Sequence, residues 1–140
     1  VKLFGWIKKS APPPANARGN KETGTLGEEV ATQFLTSHGY RILERNFRCK
    51  GGEVDIIARD PEDTSLVFVE VKARRDLSYG VPQLAVNPFK QRQISKAALT
   101  WLGKNRLHDH NARFDVIAIL LHTERPHSIE HIRNAFDLAY

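Results

Sequence analysis

The chain reads as an α/β protein, a mixed five-stranded sheet flanked by helices, in the element order α-β-β-β-α-β-β. Three observations predict this. Apolar residues keep helical spacing in two places, each behind a recognisable N-cap. Two β-type runs, Glu53–Arg59 and Leu66–Ala73, are joined by Asp60-Pro-Glu-Asp-Thr-Ser65, which is dense in turn formers. Finally, Phe114-Asp-Val-Ile-Ala-Ile-Leu-Leu121 is a near-continuous apolar run, as expected of a central strand covered on both faces.

Taken in order, residues 1–20 read as a flexible, basic, proline-rich tail preceding a domain at 21–140. Ala11-Pro-Pro-Pro-Ala15 is a stiff extended segment without periodicity. Thr25-Leu-Gly-Glu28 matches a capping box, with Thr25 as N-cap and Glu28 reaching back. Val30, Ala31, Phe34 and Leu35 follow at helical spacing, and Gly39 supplies the C-cap. Tyr40–Phe47 is the first strand, and Gly51-Gly52 turns the chain into the second. Beyond the third strand, Arg75–Pro82 is a loop. Asn87 is the N-cap of the next helix and Pro88 its first residue, with Ile94, Ala97, Ala98, Trp101 and Leu102 as the core stripe. Arg113–His122 and Ser128–Ile132 complete the sheet.

The bulk numbers favour a soluble protein with polyanionic partners. The chain has 140 residues, enough for one domain with a sizeable core, and carries a net charge of +5. No apolar run is long enough to span a membrane, and Val1–Ile7 is too short for a secretory signal. The single cysteine, Cys49, rules out an internal disulfide and fits a reducing cytoplasm. Arg41, Arg45, Arg48 and Lys50 precede the second strand, and Lys90, Arg92 and Lys96 lie on the later helix. Positive charge therefore brackets the acids of the second and third strands, as holding phosphates beside a metal would demand.

Those acids form the principal candidate site. A hairpin closing symmetrically around Glu62–Asp63 puts Asp55 across from Glu70, and Lys72 shares the face of Glu70 because side chains alternate along a strand. Two like charges about 5 Å apart repel by about 3 kcal/mol at an effective dielectric of 20. Lys72 offsets part of this. A divalent cation offsets more, and oxygen ligands suit Mg²⁺ or Mn²⁺. A cross-strand salt-bridge cluster is the alternative. Glu28 is open to two readings, as a capping residue or as an extra carboxylate for the metal. Glu53 reads as an exposed strand-entry residue. His108-Asp-His110 lies in a polar loop without a third ligand. The i,i+4 spacing of His127 and His131 falls in a strand and carries no metal signal. Gly24-x-x-Gly27 hints only weakly at a phosphate cradle.

Asp55 followed by Glu70-Val-Lys72 resembles the PD-(D/E)XK nuclease superfamily, and the element order resembles its restriction-endonuclease-like core. More closely, the chain is similar to the bacterial YraN-like family. The resemblance runs through Gly27-Glu28, Gly39–Leu43, Asn46, Gly52–Ile57, Val67–Arg74, Lys90-Gln-Arg92, Arg113–Ile117 and Ile129–Ile132. That family in turn resembles archaeal Holliday-junction resolvases. The resemblance implies a metal-dependent endonuclease acting on structured or branched nucleic acid, DNA ahead of RNA, with a homodimer able to make paired cuts. It implies Asp55 and Glu70 as the metal-binding acids, Lys72 as the residue orienting the attacking water, and Glu28 as a further acid; the Val71 carbonyl, beside Glu70, is a candidate additional ligand of Mg²⁺ or Mn²⁺. Arg74, Lys90 and Arg92 would hold flanking phosphates. A catalytically silent nucleic-acid-binding module of the same fold is the alternative. Val54 stands where the superfamily's motif has proline.

Overall fold

The computed structural model describes residues 17–75 and 85–140. The elements are α1 (Ala17–Ser37), β1 (Arg41–Cys49), β2 (Gly52–Arg59), β3 (Leu66–Arg74), α2 (Pro88–Lys104), β4 (Ala112–Leu120) and β5 (Ser128–Phe136). The strands form one open five-stranded sheet in sequence order. β3 and β4 run parallel, linked by the crossover that contains α2, and every other neighbouring pair is antiparallel. The expected fold class and order hold.

The sheet is covered on both faces. α2 packs on one, where Ile94, Ala97, Trp101 and Leu102 meet Phe47, Val54, Ile57, Leu66, Phe68 and Val116. On the other, Ala31 and Leu35 of α1 meet Ile56, Ala58, Val67, Val69, Ile117 and Ile119. Alternation along β3 is strict: Leu66 and Phe68 face α2, while Val67 and Val69 face α1. β4 contributes Val116 to one core and Ile117 to the other, which is why it reads as continuously apolar.

Several boundaries differ from expectation. α1 begins at Ala17, eight residues before the expected N-cap at Thr25. Gly19, Gly24 and Gly27 depress helix propensity over this stretch, but tertiary contacts hold it. Thr23 Oγ1 accepts a 2.7 Å hydrogen bond from Arg75 Nε at the far end of β3. The capping box is therefore not a cap, and Gly24-x-x-Gly27 lies inside a helix with no phosphate-binding terminus. Residues 1–16 of the expected tail, and the expected loop from Asp76 to Pro82, lie outside the described residues. The end of α1 is as expected: Tyr40 N donates to Leu35 O and Gly39 N to Thr36 O, both at 3.0 Å, with Gly39 at φ +89°. That pattern is a Schellman motif, and it needs a residue that tolerates the left-handed region. α2 starts as expected, with the Asn87 side chain accepting from Lys90 N. β5 continues four residues past the expected end at Ile132 to Phe136.

Two glycines set the distance of the helices from the sheet. A Cβ at Gly27 would overlap the Cβ of Ala73, so α1 lies directly against β3. A Cβ at Gly52 would stand 2.6 Å from Gln93 O and 2.8 Å from Ala97 N, so β2 touches the α2 backbone. Both helices are thereby drawn towards the strand segments that carry the acids.

Candidate functional site

The β2–β3 register is the one the turn arithmetic predicts: Ile56 pairs with Val69, Ile57 with Phe68, Ala58 with Val67 and Arg59 with Leu66. Pairing ends at Ile56, one residue short of Asp55. There the Asp55 side chain takes over from the backbone, its Oδ2 accepting a 2.8 Å hydrogen bond from Val71 N. The opposed pair of the sequence reading is thus a carboxylate inserted where two strands part, beside Glu70. On the other side of Asp55, Asn46 of β1 sits at φ +53°, a conformation that asparagine tolerates better than most residues.

Glu70 and Lys72 are each 5% exposed and lie on the α2 side of β3, the face of Leu66 and Phe68. Among the described residues no hydrogen-bond partner reaches Glu70 Oε1, although that atom is buried. Burial, and then the neighbouring Asp55 charge, push the Glu70 carboxyl well above the usual range. Burial also raises Asp55, against the Val71 N–H that favours its ionised form. The Lys72 ammonium donates to the Ala85 carbonyl. Burial brings its pKa down to about 8, against the pull of Glu70. It is mostly protonated at pH 7 and stands as a buried positive charge beside an acid.

The helices supply the rest. Glu28 of α1 has its carboxyl raised by burial and then by Asp55, and the Asn46 side chain partly opposes this with a hydrogen bond. Since α1 extends well beyond it on the N-terminal side, Glu28 has no capping duty. Its neighbour Glu29 is engaged elsewhere, with Arg45 Nη1 at 3.0 Å. Lys90 of α2 donates to Glu53 Oε1 at 2.9 Å, and its charge also acts on Glu70 and Asp55. Glu53 is lowered by that hydrogen bond and by Arg48. Glu53 is therefore the anchor of Lys90, not a bare strand-entry residue.

The three cations expected to hold phosphates take different positions. Lys90 belongs to the acid cluster. Arg74 is 8% exposed at the end of β3. Only Arg92 is displayed on the surface. The fit to a cation is good in kind. Among the described residues no three Asp, Glu, His or Cys side chains form a metal-holding group. An all-protein cage is therefore absent from these residues. Two carboxylates, a backbone carbonyl at Val71 and several waters are what Mg²⁺ characteristically accepts. The orphaned Glu70 oxygen and the raised acid pair are both relieved by a bound cation.

A second cluster lies on the α1 side and was not singled out in the sequence. Asp115 is fully buried and accepts from Arg113 Nε (3.0 Å), His131 Nε2 (2.8 Å) and Asn134 N (2.9 Å). Asp60 is bound by Arg113 Nη1 at 2.8 Å and Arg133 Nη2 at 3.0 Å. Every strong donor here is already taken, so the cluster staples β4 and β5 to the β2–β3 turn. His131 is thus a hydrogen-bond partner of Asp115. Its spacing from His127 builds no metal site, because His127 Nδ1 accepts from His122 N instead.

The family model described as "Uncharacterised protein family UPF0102" matches residues 27–119, a span holding Glu28, Asp55, Glu70, Lys72 and Lys90. Similar proteins of that name occur in several bacteria. One from Pelobacter propionicus is 72% identical over the full length of both chains. One from Trichlorobacter lovleyi is 60% identical over 91% of this chain and 99% of its own. One from Bifidobacterium longum is 47% identical over 83% of this chain and 94% of its own.

Proposed function

The chain belongs to the UPF0102 family, and from its site we propose that it is a metal-dependent endonuclease that hydrolyses phosphodiester bonds in nucleic acid, structured or branched DNA ahead of RNA. One observation carries this reading: the carboxyls of half-buried Asp55 and buried Glu70 are both raised, Glu70 Oε1 has no hydrogen-bond partner among the described residues, and the buried ammonium of Lys72 stands beside them. A purely structural cluster would satisfy its own charges, as the Asp60–Arg113–Asp115 cluster does. The resemblance to PD-(D/E)XK nucleases supports the same assignment.

Asp55, Glu70 and the Val71 carbonyl would hold Mg²⁺ or Mn²⁺, with Glu28 facing the ion through Asp55. When bound, the ion supplies charge stabilisation at the phosphate and a more acidic water. The protein's own residues do the remainder. Lys72, held by the Ala85 carbonyl and attracted by Glu70, places a positive charge beside the attacking water and the phosphate oxygens that carry the negative charge of the pentacoordinate transition state. The Asp55–Val71 hydrogen bond fixes one carboxylate without using a second side chain. Lys90, pinned by Glu53, limits the repulsion of the acid pair before any cation arrives. Arg92 offers a surface contact for a flanking phosphate.

The test is cleavage of a panel of labelled DNA and RNA structures (junction, flap, fork, linear) with Mn²⁺ and with EDTA. The reading expects cutting with metal only, and its loss in Asp55→Asn with binding retained. Tight binding by the wild-type protein without cutting, under every metal tried, overturns it in favour of a binding module.

A further inference from the structure

The outer side of α2 forms a groove of about 460 Å³ whose character differs from the acid site. Phe89, Arg92, Lys96 and Leu99 follow one another at helical spacing along it, Gly51 closes one side and Tyr140 the other. Phe89 is 61% exposed and Tyr140 91%. Among the described residues no acidic side chain lines the groove, and neither Arg92 nor Lys96 forms an ion pair. At a helix's rise per residue the stripe from Phe89 to Thr100 is about 16 Å long.

Two exposed rings on one small surface are costly in water, and the charged side chains that line the groove with them, Arg92 and Lys96, are both cations. A globular protein gains nothing in stability from this arrangement. A ligand with a flat apolar face and a regular negative charge satisfies both halves at once. An unpaired nucleic-acid strand is such a ligand: its bases stack on exposed aromatics and its phosphates meet lysine and arginine. A duplex hides its base faces and can use only the cations.

We propose that this groove binds an unpaired strand, with bases stacked on Phe89 and Tyr140 and phosphates at Arg92 and Lys96. The position supports this. Phe89 adjoins Lys90, which reaches Glu53 and the acid pair. Gly51 adjoins the start of β2, so the groove opens beside the proposed catalytic cluster. The inference rests on the endonuclease reading for its purpose, and assigns that site a substrate class: nucleic acid with a single-stranded arm next to the scissile bond. The binding itself stands independently of cutting.

The experiment measures fluorescence anisotropy with full-length protein in EDTA, so that no cleavage intervenes. The probes are single-stranded DNA, single-stranded RNA of the same sequence, and a blunt DNA duplex of equal length. Phe89→Ala and Tyr140→Ala should each weaken single-strand binding by about five- to a hundredfold, the range for one lost base stack, and change duplex binding less than about twofold. Phe89→Trp should restore it. Arg92→Gln and Lys96→Gln should each lower the slope of log K against log salt by about 0.7 on a single strand. Comparable losses on DNA and RNA identify recognition of base face and phosphate alone, and a loss on one polymer assigns the groove to it. Both exposed rings can be removed without opening the core, and matching melting temperatures confirm it. Unchanged single-strand binding in both ring variants, equal losses on single strand and duplex, or no single-strand binding by the wild type overturns the proposal. Failure to cut in Mn²⁺ with this binding pattern intact removes the nuclease reading and leaves the groove. Metal-dependent cutting with the pattern absent does the reverse.

Discussion

Gly27→Ala tests the geometry that brings α1, and with it Glu28, to the acid site. The substitution has two opposed consequences. Alanine favours the helix over glycine by about 0.8–1.0 kcal/mol. Against this, the new Cβ falls less than 3.0 Å from the Cβ of Ala73, where carbon contacts settle at about 3.5–4.0 Å. Neither atom is the end of a flexible side chain, so the helix itself must rise from the sheet. Overpacking of that kind costs about 1–3 kcal/mol. A rigid helix on a strand belongs in the upper part of that range, leaving a net loss of about 1–2 kcal/mol. Gly24, one turn earlier, provides the control: an added Cβ there meets nothing within 4 Å. Gly24→Ala should therefore show the propensity gain alone. Urea denaturation, with m unchanged, should separate the two variants by about 2–3 kcal/mol and with opposite signs relative to wild type. Gly27→Ala combined with Ala73→Gly should recover part of the loss, with a coupling of about 1 kcal/mol or more. If Gly27→Ala is as stable as Gly24→Ala, α1 does not lie against β3 and Glu28 loses its route to Asp55.

Three further outcomes follow from the site. Mg²⁺ or Mn²⁺ should raise the melting temperature by mass action, and Asp55→Asn should abolish that rise while stabilising the metal-free protein; an undiminished rise in Asp55→Asn moves the ion elsewhere. Lys72→Ala should leave nucleic-acid binding within a few-fold of wild type and lower cleavage by about a hundredfold or more, since one charge among many is lost to binding but the charge at the reacting phosphate is lost to catalysis; wild-type cutting by Lys72→Ala refutes the assigned role. Asp115 is held below the usual carboxylate range: burial opposes ionisation, and His131, Asn134 N–H and Arg113 outweigh it. Its contribution is complete above the ordinary aspartate value of 3.8 and is lost as pH falls through the depressed folded value. Asp115→Ala should thus cost about 1–3 kcal/mol at pH 7 by leaving Arg113 Nε, His131 Nε2 and Asn134 N without their acceptor, while Asp60 still pairs Arg113, and flatten the acid limb of a stability–pH curve; an acid limb identical to wild type would place the titration in other groups.

What the sequence made legible was what a period or a count can carry. The β2–β3 register follows from arithmetic on the turn, because antiparallel partners add to a constant, and Ile56–Val69 and Arg59–Leu66 obey it. The shared face of Glu70 and Lys72 follows from the two-residue repeat. The α2 core stripe follows from the helical one, and all five expected members are buried. The start of α1 was not legible, because local propensity in Ala17–Gly27 argues against helix and the deciding contacts, Arg75 on Thr23 and Gly27 on Ala73, join residues about fifty apart. Asp115 was hidden for a related reason. Within an apolar run an acid gives no local sign of the Arg113, His131 and Asn134 partners that make its burial tolerable.

Lys90 and Arg92 are both cations near the start of one helix, and residue type alone gives them the same expected task, holding a flanking phosphate. Yet Lys90 precedes Ile94 by four residues and Ala97 by seven, so it lies on the edge of the core stripe. Arg92 is two positions away, rotated by about 200°, and faces out. The same stripe assigns Phe89 and Lys96 to the side of Arg92 and leaves Lys90 alone turned towards the sheet. Once Gly52 allows the α2 backbone to touch β2, that rotation carries the Lys90 ammonium to Glu53 and into the field of Asp55 and Glu70. Two neighbouring cations thus divide into one that tempers the acid pair and one that meets the strand outside. It is the rotation of the helix about its own axis that separates these roles, and the residue types alone do not distinguish them.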